Sequence, residues 1–105
     1  MTTDIMTPER DPFRREEVEA REEERIRLQK IANALKAVLA TRDGRIVLWQ
    51  LLSDTGIYRN SFDRDLAVMA FNEGQRNVGL RLLDRIMSVD ANAYRLMQDE
   101  ANGSD

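Results

Sequence analysis

The stretch Arg45-Ile46-Val47-Leu48-Trp49-Gln50-Leu51-Leu52-Ser53-Asp54 decides the fold class, because its composition alone admits either a buried strand or a buried helix. Its surroundings settle the choice. Thr41-Arg42-Asp43-Gly44 reads as a turn, with Asp43 placed to cap a following helix. Gly56 stands just beyond the run, where a helix stop belongs. The run is also longer than the roughly 5–6 residues of an ordinary strand. We therefore read residues 45–54 as a central helix, apolar on nearly every side.

Working toward the N-terminus, Asp11-Pro12 reads as a helix start, with Asp11 as N-cap and Pro12 in the first helical position. From Phe13 to about Ala40 no glycine or proline interrupts the chain. The first half of this helix, over residues 12–27, is almost wholly charged, with Glu17/Arg21 and Glu23/Arg27 spaced for ion pairing. From Leu28 onward Ile31, Ala32, Leu35, Val38 and Leu39 form one apolar face at helical spacing. The second half is thus expected to pack on a core and the first to extend past it. That charged half is either a solvated helix or one that pairs with a partner through a thin Val18/Ile26/Leu28 edge.

Toward the C-terminus, residues 57–62 read as a loop and Asp63 or Asp65 as the start of a third helix running to Met87 or Ser88. Asp90 caps a last short helix carrying Tyr94, Met97 and Ala101. Gly74 and Gly79 lie inside the third helix, where each costs about 1 kcal/mol relative to alanine, so both suggest close backbone approach. The expected fold is all-α: a small helical domain of about four helices with a long, charged, partly projecting N-terminal helix. Residues 1–11 form an expected flexible arm, 12–101 a single helical domain with its core over 28–101, and 102–105 a flexible tail.

Composition narrows the function. The 105 residues are 33% charged and 42% hydrophobic, a foldable balance, and the net charge is −3. Residues 1–41 hold nine acids against eight bases and residues 42–105 ten against eight, so no segment carries the basic surplus of a nucleic-acid binder. The chain lacks cysteine, which removes disulfides and thiolate metal sites, and lacks histidine, the commonest general base and metal ligand. No apolar run nears the roughly 20 residues that span a bilayer, and the N-terminus lacks the pattern of a signal peptide. Neither an enzyme nor a membrane protein is expected, and no cofactor or metal.

Three features remain as candidate contact sites. In Glu73-Gly74-Gln75-Arg76-Asn77 the polar side chains either offer a hydrogen-bonding surface to a partner or form an internal network. In the second case Glu73 pairs with Arg76, and Gln75 or Asn77 ties down the 57–62 loop. Ala70 and Gly74, one turn apart, form either a packing notch or a helix–helix seam. Trp49 with Tyr58, Arg59 and Phe62 is core, a hot spot for a protein partner, or a platform on which single-stranded bases stack.

The segment from Gly44 to Met87 resembles a family of short proteins encoded among the virion structural genes of short-tailed phages, of the Bordetella-phage type. The likeness rests on Val47-Leu48-Trp49-Gln50-Leu51-Leu52, on Gly56-Ile57-Tyr58 and Ser61-Phe62, and above all on Phe71-Asn72-Glu73-Gly74-Gln75-Arg76-Asn77-Val78-Gly79-Leu80. It implies a virion-associated or assembly role, with other phage structural proteins as partners, a possible homo-oligomer, and a protein made in the host cytoplasm and carried in the particle. The alternative is a non-virion adaptor or regulator that binds one partner through its N-terminal helix. The residues assigned to contact are Tyr58, Arg59, Phe71, Glu73, Gly74, Gln75, Arg76, Asn77 and Gly79.

Overall fold

The run that begins at Arg45 is helical. In the computed structural model, which describes residues 11–103, the helices are α1 (Pro12–Leu39), α2 (Arg42–Asp54) and α3 (Leu66–Ala101), with no strand among those residues. There are three helices and not about four. The expected third and fourth are joined in α3, interrupted only at Asp90, whose backbone is extended (φ −160, ψ 93). Asp90 does act as a cap at that kink, its carboxylate accepting from the Ala93 amide at 3.2 Å. One extended residue with its own capping side chain redirects the chain without needing a loop.

Each helix start is fixed by a side chain that satisfies orphan backbone amides. Asp11 accepts from the amides of Phe13 and Arg14, at 3.0 and 3.2 Å. At α2 the cap is Thr41 and not Asp43. Thr41 has the extended backbone of an N-cap and its hydroxyl accepts from the Gly44 amide at 3.0 Å, which leaves Asp43 inside the first turn. Asp65 caps α3 by accepting from Ala67 at 2.8 Å, and Asp63 accepts from the Asp65 amide. Gly56, at φ +80, ends the turn after α2 in the left-handed region that suits glycine.

The chain divides into two compact units, Met1–Asn33 and Ala34–Asp105, and α1 runs through the division. Residues 1–10 of the arm expected over 1–11, and the last two residues of the tail, lie outside the described residues. Within the first unit α1 carries ion pairs of Arg21 with Glu17, Arg25 with Glu22 and Arg27 with Glu24. Arg27 reaches Glu24 rather than Glu23, because at that spacing its Nε and terminal nitrogen meet both carboxylate oxygens, at 2.9 and 2.6 Å. The same hydrogen bonds, more than charge alone, hold the carboxyls of Glu22 and Glu24 below their usual range.

The second unit holds the core. Leu39 from the end of α1, Leu48 and Leu52 from α2, and Ile86, Ala93 and Met97 from α3 are buried, with Leu35, Trp49, Ile57, Leu82, Leu83, Val89 and Tyr94 packed against them. Leu52 and Ile86 are fully enclosed, and each such side chain contributes about 1.5–3 kcal/mol. The helix α2 is not enclosed on nearly every side, as its sequence led us to expect. Ile46, Val47 and Leu51 are about half exposed. A unit of this size lacks the helices to surround a central one, so α2 buries a single stripe and presents the rest.

Candidate interaction surface

The loop between α2 and α3 is fastened at both ends by side chains. Arg59 lies at the C-terminal end of α2, directed at the Ser53 and Asp54 carbonyls (3.4 and 3.5 Å), where a cation meets the negative end of the helix dipole. From α3, Glu73 accepts a hydrogen bond from the Ser61 hydroxyl, and Asn72 donates to the Ser61 carbonyl at 3.4 Å. The loop is therefore tied down as an internal network would tie it, but by Glu73 and Asn72 rather than Gln75 or Asn77. Glu73 spends its carboxylate on Ser61 rather than on Arg76. Between loop and helix lies a polar cleft of about 190 Å³, lined in part by Arg59, Asn60, Asn72 and Gln75.

Trp49 is half-buried and stacks on Tyr58, ring centroids 5.3 Å apart at 28°, with the Tyr94 ring tilted at 37° and 6.3 Å away. The hydroxyls of Tyr58 and Tyr94 meet at 2.7 Å. Burial, and then that bond, push the Tyr58 phenol well above its ordinary value. The reading of Trp49, Tyr58 and Phe62 as core is thus correct only for Trp49. Tyr58 is half exposed and Phe62 stands 69% exposed, because its backbone amide is turned to Asn60 in the loop and no helix lies over its ring.

The polar-and-glycine segment of α3 is two-sided. Gly79 is buried, and a methyl group there would overlap the side chains of Thr55 and Ile57, so the turn after α2 sits directly on the α3 backbone. The close approach expected of Gly79 is present. At Gly74 it is absent: nothing lies within 4 Å of where a Cβ would stand. Ala70 and Gly74 are both exposed, so they form no internal packing notch. Asn72, Arg76 and Gly79 fall on the inward side of α3, while Phe71, Gly74, Asn77 and Val78 fall on the outward one.

A second polar feature gave no sign in the sequence. Arg45 donates to Glu100 at 2.7 Å and to the Leu39 carbonyl at 2.9 Å, both side chains nearly enclosed, and Arg42 approaches the other Glu100 oxygen at 3.8 Å. This clamp joins the ends of α1 and α3 to the start of α2. Arg45 and Glu100 stand 55 residues apart, and no local pattern couples residues so separated. Among the described residues no group of three or more acidic side chains could hold a metal ion.

These observations define a small helical protein whose polar network fixes a loop while much of its apolar surface faces outward. It belongs to the family of Bbp19-like phage proteins, whose model matches residues 35–99, more than half of the chain and nearly the whole of the second unit. The chain is therefore a bacteriophage protein. Neither a curated protein nor a solved structure matches it significantly.

Proposed function

We propose that the chain is a virion-associated structural or assembly protein of a short-tailed phage, located at the head, at the portal–tail junction or among the internal proteins, and acting through protein–protein contacts. The supporting observation is the amount of large apolar surface in the segment the family model matches. Val47, Phe62, Leu66, Phe71 and Val78 are each more than half exposed. Scattered apolar residues need no explanation, but the last four of these lie along α3 and the loop that leads into it, and exposed apolar groups concentrated on one segment mark a contact surface. No helix among the described residues is long and apolar enough to cross a membrane, so a bilayer-spanning role has no support to set against this reading. Mass spectrometry of purified particles tests it. The chain should be present in a fixed copy number; its absence from particles in which other virion proteins are quantified would contradict the reading.

A second reading rests on α1. Phe13 is 83% exposed, and Val18, Ile26 and Leu28 are each more than two-fifths exposed along an otherwise charged helix. That thin edge suits a phage adaptor that holds one partner through its N-terminal helix. Under it, a partner is captured from infected cells by the full chain, is lost on Val18→Glu with Ile26→Glu, and is not a virion protein.

A further inference from the structure

The polar cleft between α3 and the loop before it has a lopsided set of unmet hydrogen bonds. Both of its hydroxyls already donate within the fold, Thr55 to the Leu52 carbonyl at 2.6 Å and Ser61 to Glu73. The Asn60 side-chain carbonyl accepts from the Phe62 amide at 2.9 Å, which leaves its NH2 group to donate. Asn72 gives one N–H to the Ser61 carbonyl and keeps another. Arg59 brings one terminal nitrogen to two α2 carbonyls at 3.4 and 3.5 Å, and its Nε and other terminal nitrogen meet no partner among the described residues. The exposed amide of Gln75 meets none there either. Most of the unused capacity in this cleft therefore donates, one of the donors is a cation, and no acidic residue lines it.

We propose that this cleft takes the carboxylate of an acidic side chain carried by a partner protein. A carboxylate only accepts, so it uses the donors left over and asks nothing of the acceptors already spent. The planar fork of a guanidinium matches its two oxygens, and the pairing is charge-assisted. One arginine balances one carboxylate, whereas a phosphate carries more charge than the single cation here neutralises. A volume of about 190 Å³ admits a side chain and leaves the partner's backbone outside. At the rim, Phe62 directly follows Ser61 and is 69% exposed, and Phe71, one turn before Gln75, is 64% exposed. An acidic residue flanked by apolar ones suits that arrangement, since arginine and aromatic residues carry much of the energy of protein interfaces. The proposal rests on reading the chain as one that works through protein contacts, and it names the chemistry that such a partner brings.

An NMR titration of the isotope-labelled full chain tests the site, read at the Arg59 Nε–H and at the side-chain amides of Asn60, Asn72 and Gln75. The probe is N-acetylglutamic acid α-amide, whose one carboxylate is that of the side chain. It should shift these signals saturably, with a Kd on the order of millimolar. The neutral isostere N-acetylglutaminamide should bind at least about 10-fold more weakly, having lost the charge-assisted bond. Gln75→Ala, at an exposed position, should keep the fold and weaken the probe by about 3- to 10-fold. Arg59→Gln should abolish saturation; should that variant fail to fold, Gln75→Ala and the isostere still decide. Equal binding of the isostere, or Arg59 shifts no larger than those of the exposed Arg81, overturns the site. Inorganic phosphate binding more tightly than the probe overturns the choice of a carboxylate. In particles, Arg59→Gln with Gln75→Ala should lower the number of copies retained at high salt, and unchanged retention overturns the assignment to a partner. A chain counted in particles but showing no preference for the carboxylate probe leaves the virion role standing and removes only this site.

Discussion

Two glycines in one helix, five residues apart, stand in opposite surroundings, and substitution should separate them. At Gly79 a methyl group overlaps Thr55 and Ile57, so Gly79→Ala should destabilise the fold by about 1–3 kcal/mol, as overpacking does. At Gly74 the space is open and the helix gains an alanine, so Gly74→Ala should stabilise it by up to about 1 kcal/mol. Chemical denaturation of the two variants reads the difference, and equal effects would mean that the turn after α2 does not rest on α3. The sequence marks both positions alike, because propensity reports the cost of a glycine in a helix and not what lies beside it. The Tyr58 phenol supplies a pH signature. Its folded pKa is raised, so its contribution is fully present below the unfolded value near 10 and is lost as pH rises above it. Thermal stability should fall above about pH 10, and Tyr58→Phe should flatten part of that decline.

At the scale of elements, α2 depends on a buried stripe on one side and a polar clamp at its start. Leu52→Ala and Ile86→Ala should each cost about 2–5 kcal/mol, since both side chains are wholly enclosed where α2 meets α3. Glu100→Ala should cost about 3 kcal/mol, near the lower edge for breaking a buried pair, because Arg45 keeps its bond to the Leu39 carbonyl. Denaturation midpoints check all three, and a Glu100→Ala variant as stable as the parent would show that the clamp contributes nothing. The helices themselves were legible in the sequence. The 3.6-residue spacing of Leu35 and Leu39, and of Leu82, Ile86 and Met97 across the kink, marks core positions directly. The continuity of α3 was not legible, since a capping aspartate reads the same whether it opens a new helix or bends an existing one. Nor was the exposure of Ile46, Val47 and Leu51, because apolarity shows what a face prefers and not whether the chain has enough mass to cover it. Within the candidate surface, loop fastening by α3 was legible but the fastening residues were not. Asn72 and Glu73 are set by how the loop returns, which no spacing rule encodes.

For the whole molecule, the division near Asn33 and Ala34 gives the chain a part that carries the core and a part rich in local ion pairs. Pairs of that kind, exposed to water and screened by salt, add little to stability. Deleting residues 1–25 should therefore leave a cooperative thermal transition within a few degrees of full length, and loss of the transition would show that the fold needs the charged half of α1. The family match, the polar network holding a loop in place and the apolar surface around Phe62 and Phe71 all belong to the second unit, and they support the proposed role of a protein held against others. Quantitative mass spectrometry of purified phage particles tests that most directly. A fixed number of copies per particle, retained through washing at high salt, is the result predicted here. Abundant chain in the infected-cell lysate with none in particles that contain their full set of other virion proteins would contradict it.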